Sequence, residues 1–280
     1  GRSVTFIEII AEFLSAVKSR AEAAEGRAFS RALSGRPVHF HSHDDARDAQ
    51  ALADLTECYL LAGFEDVAFL HEPEAAALSS GGLAAGETGL IVDIGGGTSD
   101  FSVFRAAGDG IEILVSHGVR VGGTDFDKSV SIDHVMPLLG KGTDIRRDMG
   151  PGLHSAPVSM FNDLASWEKI PFLYTAQTRR EADEMRRLAA EPEKFARLCR
   201  VLTDELGHDL AFAAERGKIA ANAEGAATID LGPIERGLRA PITRASLGHA
   251  TAPHAARIAE CAAEALAMAD LPPAAVDAVI

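Results

Sequence analysis

The chain has 280 residues, 47% of them hydrophobic, which is enough apolar material for one large or two medium cores. A formal net charge of −14 sets it against nucleic acid, whose phosphate backbone demands a basic face. No apolar run reaches the roughly 18 residues of a membrane span, and Glu8 and Glu12 interrupt any signal-peptide pattern, so no membrane association is expected. Three scattered cysteines (Cys58, Cys199, Cys261) read as reduced thiols of a cytoplasmic protein.

In chain order, Phe6, Ile9, Ile10, Phe13, Leu14 and Val17 lie on one face of a helix predicted over 5–24. A short strand is predicted from Pro37 to His41. A helix capped by Asp44 or Asp45 then runs to about Ala62, with Gly63 as its stop. Asp66 to Leu70 reads as a strand, and Pro73 opens a short helix, Glu74 to Ser79. Glycines at 81, 82 and 86 then punctuate the chain. A three-strand meander follows at about 88–94, 100–105 and 111–118. Phe126 to about Leu139 reads as helix. Lys141 to Pro157, rich in glycine and proline, reads as loop. Helices are predicted over 160–168, 176–190, 193–202 and 205–223. A short strand at 228–231, a helix at 253–269 and a terminal strand at 275–280 complete the pattern.

The meander carries the most informative stretch, Leu90 to Phe104, LIVDIGGGTSDFSVF. A strand ends in Asp93, three glycines and Thr98 make a tight turn, and a returning strand carries Asp100. Gly95, Gly96 and Gly97 remove every Cβ from the turn, so the backbone can approach a ligand closely and present its N–H groups to an anion. Carboxylates on either side of such a cradle suit a polyphosphate with a hydrated Mg²⁺. The commoner glycine fingerprints do not fit. A phosphate loop of the Walker type needs a Lys after its last Gly, and a dinucleotide fingerprint needs a following helix, whereas this segment continues as a strand.

Two further segments flank it. His71-Glu72-Pro73-Glu74-Ala75-Ala76-Ala77 lies upstream, and Val121-Gly122-Gly123-Thr124-Asp125-Phe126-Asp127 lies downstream. In order and spacing the set resembles the nucleotide-binding domain of the seventy-kilodalton heat-shock (DnaK-type) chaperones. Met136-Pro137-Leu138-Leu139-Gly140 and the Arg-rich stretch after it look more like the short YegD-type branch. The helix segment Ala213-Ala214-Glu215-Arg216-Gly217-Lys218 looks like the family's adenosine-contacting helix. The resemblance is weakest over 141–206. His71 and Glu74 depart from the family's Asn and Thr, but Glu72 is retained.

The resemblance implies an α/β, actin-like ATPase (ribonuclease H-like) fold of two lobes, incomplete at both ends. Residues 1–85 would be the remainder of the first lobe and 86–280 the second, with 124–254 as its peripheral helical subdomain. Glycines near 80–86 and 118–123 would serve as hinges. It also implies ATP and Mg²⁺ as ligands. Glu72, Asp93 and Thr98 would form the catalytic set. Gly95, Gly96, Gly97, Thr98, Gly122 and Gly123 would hold the phosphates, and Glu215 and Lys218 the ribose and adenine edge. Asp93, Asp100 and Glu72 would hold Mg²⁺ through water. Protein clients or co-chaperones are the partners it suggests.

Local readings compete at several of these positions. Asp93 and Asp100 could cap a turn, Glu72 could complement the charge at a helix N-terminus, and Glu215 and Lys218 could form an exposed ion pair. The alternating His39, His41 and His43 read as loop histidines, and Trp167 as part of a packed helix. The leading function is an ATP-binding, ATP-hydrolysing domain of a heat-shock-chaperone-like protein. The alternatives are a sugar-kinase-like or filament-forming relative, or a nucleotide-responsive pseudo-ATPase. The segment by itself is expected to bind ATP weakly and to turn it over negligibly.

Overall fold

The computed structural model describes residues 3–40, 44–79, 84–107, 110–146 and 152–280. His41, His43 and residues 80–83 of the first glycine hinge lie outside them. The chain divides into two compact units. One comprises 1–92, 101–117 and 264–280, and the other 93–100 and 118–263.

The first unit opens with α1 (Phe6–Glu25). Thr5 accepts from the Glu8 amide at 3.2 Å, Glu8 accepts from the Thr5 amide at 2.8 Å, and the helix stops at Gly26 in the left-handed region. The strand expected at 37–41 lies earlier. β1 (Arg31–Arg36) ends directly before Pro37, whose nitrogen has no proton for a sheet ladder. β1 pairs in parallel with β2 (Asp66–His71), Gly35 opposite Leu70, and α2 (Asp45–Leu61) provides the crossover between them. The Tyr59 hydroxyl of α2 donates to Ser34 Oγ at 2.8 Å and its ring meets Phe69 edge-on, fastening the helix to the strands.

Next come α3 (Glu72–Ser79), β3 (Thr88–Ile94), β4 (Ser99–Ala107) and β5 (Gly110–Val119). β3, β4 and β5 are successive neighbours in one sheet, as the meander reading expects, and so short a connection joins only antiparallel strands. The chain's last strand, β10 (Ala278–Val279), adds in parallel to the free edge of β3, with Ala278 opposite Gly89. Its neighbours extend the pairing. The Val92 amide donates to the Ile280 carbonyl at 2.8 Å, and the Thr88 amide to Asp277 Oδ2 at 2.8 Å. Ile91, Phe104 and Ala77 of α3 form the buried centre of this unit's sheet.

The second unit takes the tip of the β3–β4 hairpin, the end of β5 and everything to residue 263. α4 (Gly123–Val130) begins three residues before the helix predicted from Phe126. It passes into one π-helical turn, Ser131–Val135, and a 3-10 turn, Met136–Leu139, that contains Pro137. Gly140 ends it at φ 110°, and a Cβ there would lie 2.7 Å from the Phe195 ring. The stretch read as loop holds a short hairpin, β6 (Asp144–Arg146) against β7 (Leu153–Ser155). α5 (Val158–Leu164) is followed by a separate 3-10 segment, Trp167–Leu173, where one helix over 160–168 was expected. α6 (Ala176–Leu188), α7 (Pro192–Thr203) and α8 (Gly207–Glu224) follow. The hairpin of β8 (Ala226–Asp230) and β9 (Arg239–Thr243) leads into α9 (Arg244–Met268), which starts nine residues before Pro253 and carries that proline inside it.

A continuous core runs through the described residues of this unit. Phe161, Phe195, Leu198, Leu202, Ala214 and Ile229 are among its fully buried members. α8 lies directly against β8, because Gly217 carries no Cβ where one would fall 2.5 Å from Ile229 Cγ1.

Candidate nucleotide site

Residues 95–98 link β3 to β4, and the turn is closed by the Gly95 amide donating to the Thr98 carbonyl at 2.9 Å. A second segment holds it. The Gly123 amide donates to the Gly95 carbonyl at 2.9 Å and the Thr124 amide to the Gly96 carbonyl at 2.8 Å. The Thr124 hydroxyl adds a further bond to Gly96 O at 2.7 Å, and Ser99 Oγ donates to the Val121 carbonyl at 2.8 Å. The carbonyls of Gly95, Gly96 and Thr98 are thus occupied. The N–H groups of Gly96 and Gly97 donate to no acceptor among the described residues, and residues 93–98 are exposed. Unmatched amides at a solvent-facing glycine turn form a site for an anion.

Gly122 sets how closely the two segments approach. A Cβ there would lie 2.6 Å from Gly96 C, 2.6 Å from Gly97 N and 2.7 Å from Gly95 O. Gly122 is also the residue before α4, and its amide is held by Asp125 Oδ2 at 3.0 Å. Thr124 ties the helix start to the glycine turn.

Asp93 is the next-to-last residue of β3 on one side of the turn and Asp100 lies on β4 on the other, both exposed. Asp100 folds over Gly118 of β5, where a Cβ would meet its Oδ1 at 2.3 Å. Exposed carboxylate oxygens beside uncommitted amides are the hard donors that hydrated Mg²⁺ takes, so the chemistry of the set fits that ion. Glu72 belongs to the first unit. β2 ends at His71 and Glu72 opens α3, so it is the first residue of the helix rather than the last of the strand; Pro73 is well suited to a first helical turn. Its side chain lies over Gly35 of β1, with Cγ 3.5 Å from where a Cβ would be.

Glu215 and Lys218 lie one turn apart on α8, but they do not form the exposed i,i+3 pair. Lys218 Nζ lies 2.8 Å from Asp127 Oδ1 on α4, each side chain only 21% exposed. The contact is an ion pair without hydrogen-bond alignment. Burial pushes the Asp127 carboxyl above the usual range, against the opposing pull of Lys218. Asp127 is thus a member of the site that sequence reasoning passed over, although it sits inside the quoted motif Val121–Asp127 and would share the α4 face with Thr124 by helical spacing. Glu215 faces a cavity of about 210 Å³ together with Thr124, Asp127, Ser131, Trp167 and Phe212. Trp167 is not packed away as expected; it is 44% exposed. Among the described residues, no helix is long and apolar enough to cross a membrane.

The family model for the Hsp70 protein matches residues 1–204. The chain is 36% identical over 143 residues to the chaperone protein HscA homolog of Pseudoalteromonas atlantica, covering 50% of this chain and 22% of that protein. It is 35% identical over 149 residues to the HscA homolog of Pseudomonas fluorescens, covering 52% and 22%. It is 36% identical over 147 residues to heat shock 70 kDa protein BIP3 of Oryza sativa subsp. japonica, covering 50% and 21%. The chain spans about a fifth of the length of these relatives. With its glycine turn, Glu-Pro segment and second glycine segment in place, the chain belongs to the Hsp70 family.

Proposed function

We propose that these residues form the nucleotide-binding part of an ATP-hydrolysing, heat-shock-chaperone-like protein with a two-lobed actin-like ATPase fold. The first lobe would comprise 1–85 and the second 86–280, with 124–254 as its helical subdomain. One observation carries the reading: the Gly96 and Gly97 amides are unmatched among the described residues while the Gly95 and Gly96 carbonyls are held by Gly123 and Thr124. A turn so braced does not collapse when its amides are left bare, which is the preorganisation an anion site needs.

In this reading the Gly96 and Gly97 amides donate to β- and γ-phosphate oxygens, and the Thr98 hydroxyl adds a short bond. Gly95, Gly122 and Gly123 keep the backbone free of side chains at that point. Asp93 orients the attacking water, and Glu72 orders water on the other side of the transferred group. Asp100, with Asp93 and Glu72, holds hydrated Mg²⁺; when bound, that ion neutralises charge on the phosphoryl oxygens. Glu215 accepts from the ribose hydroxyls, and Lys218 acts there by holding Asp127. The Met136–Gly140 segment and the Arg-rich stretch after it favour a YegD-like branch. The same reading proposes a cytoplasmic location and protein clients or co-chaperones as partners.

Calorimetric titration with Mg-ATP and Mg-GTP tests the reading, repeated after Thr98→Val. Saturable Mg-ATP binding weakened about tenfold by the substitution supports it, the value of one charge-assisted hydrogen bond. The absence of saturable binding at millimolar nucleotide would remove it.

A further inference from the structure

Gly118 lies near the end of β5, shortly before the second glycine segment, where the sequence suggests no more than a hinge. It is exposed, and its φ is not positive, so conformation does not demand glycine there. The demand is steric and comes from one neighbouring side chain. A Cβ on Gly118 would overlap Oδ1 of Asp100 and lie 3.3 Å from Cγ of the same carboxyl. The nearest backbone atom, Ser99 O, would stand at a tolerable 3.4 Å.

Asp100 has little else to fix its side chain. Among the described residues its carboxylate accepts no hydrogen bond and meets no cation. Its backbone, by contrast, is held. Ser99 is fully buried and its Oγ donates to the Val121 carbonyl at 2.8 Å, and Phe101 on the other side of Asp100 is 1% exposed. What remains to Asp100 is the choice among staggered rotamers. The bare backbone of Gly118 makes room for the one observed, in which the carboxyl rests on β5.

The carboxylate keeps its lone pairs for a ligand, and a hydrated cation is the partner they suit. Another rotamer would carry its oxygens elsewhere. Mg²⁺ and its water shell demand near-octahedral geometry and do not follow a displaced carboxylate. We infer that Gly118 is a positioning residue: by lacking a side chain it sets the place from which Asp100 meets the hydrated Mg²⁺ of a bound nucleotide. This inference rests on the nucleotide reading above and adds to it a residue that acts only through Asp100.

Calorimetry on the protein that carries these residues tests it. ATP affinity is measured with Mg²⁺ and with a chelator in its place, and the ratio of the two is the benefit of the metal. The proteins compared are the parent, Gly118→Ala, Asp100→Ala and the double variant. Gly118→Ala moves the carboxylate and keeps its charge. The metal benefit is expected to fall about tenfold in this variant, the value of one charge-assisted hydrogen bond, and at least as far in Asp100→Ala. Adding Gly118→Ala to Asp100→Ala should change nothing further, since no carboxylate is left to place. Mg-free ATP should bind Gly118→Ala as it binds the parent, which separates a moved ligand from a damaged fold. An undiminished benefit in either single variant would overturn the inference. So would a further loss in the double variant, or weakened Mg-free binding in Gly118→Ala, either of which makes the glycine a part of the fold; in these cases the nucleotide reading stands. A parent that binds ATP equally with and without Mg²⁺ also overturns the inference and leaves the phosphate site. A parent that binds no ATP removes the nucleotide reading, and the inference with it.

Discussion

A Cβ added to Gly122 would lie 2.6 Å from the main-chain nitrogen of Gly97, inside any contact that real Cβ atoms make. Gly122 has φ −154°, extended backbone open to any residue, so the demand for glycine is steric and comes from the neighbouring turn. Gly122→Ala must push the glycine turn aside, and a cost of about 1–3 kcal/mol is expected, as for other overpacked sites. Gly123→Ala is the control, since its nearest contact would be Gly95 O at an ordinary 3.7 Å. Denaturant midpoints should show a clear loss for the first and little for the second. Equal losses would mean that the close approach is not what the glycine is for.

The glycine turn was legible because its requirements are local. Three residues without Cβ, followed by a return strand, define the turn whatever surrounds it. The meander was legible for a similar reason: alternating Phe101, Val103 and the punctuation around them specify strands at short range. β1 was not. Arg31-Ala32-Leu33-Ser34-Gly35-Arg36 shows no apolar alternation, and its place in the fold is set by parallel pairing with β2 some thirty residues away. Pro253 misled for another reason. Proline favours a first helical turn, but α9 begins at Arg244 and carries Pro253 in its interior. The Lys218–Asp127 pair and the exposed face of Trp167 depend on how α8 meets α4 and the 3-10 segment after α5, which no local pattern encodes.

Thr124 offers a finer test of the coupling between the two glycine segments. Its hydroxyl and its amide both donate to Gly96 O, at 2.7 and 2.8 Å. Thr124→Val keeps the shape and removes one donor, so about 1 kcal/mol of stability should be lost. Thr124→Ser should retain it. If the turn depends on this bond for its geometry, Mg-ATP affinity falls in the valine variant and not in the serine variant. Nuclear magnetic resonance of the Gly96 and Gly97 amides gives a second readout, with shifts confined to the turn.

Lys218→Met should make stability depend on pH in a defined direction. Asp127 already has its carboxyl raised by burial, with Lys218 opposing that shift. Removing the lysine raises it further. The folded state then binds a proton more readily than the unfolded chain, so stability is gained as pH falls through the raised value and lost as pH rises above it. The variant should be destabilised by about 1–3 kcal/mol at pH 7, as for a partly buried pair that loses one member. The deficit should shrink towards pH 5 and below. A Lys218→Met, Asp127→Asn double variant should lose this dependence. A pH-independent deficit in the single variant would show that Asp127 stays ionised without its partner.

The chemical roles of Glu72 and Asp93 are separable from binding. Both side chains are exposed in the units that hold them, and neither belongs to a core. Glu72→Gln and Asp93→Asn remove a charge and keep the shape, so they should leave stability within about 0.5 kcal/mol. In the protein that carries these residues, single-turnover hydrolysis of Mg-ATP should fall by about a hundredfold or more in each variant, the usual contribution of a group that positions or activates water. Because the proposed reading gives both residues a share of the hydrated metal, each variant should weaken Mg-ATP more than Mg-free ATP. Unchanged hydrolysis in both variants, with binding intact, would leave a nucleotide-responsive module whose conformational output needs no bond cleavage.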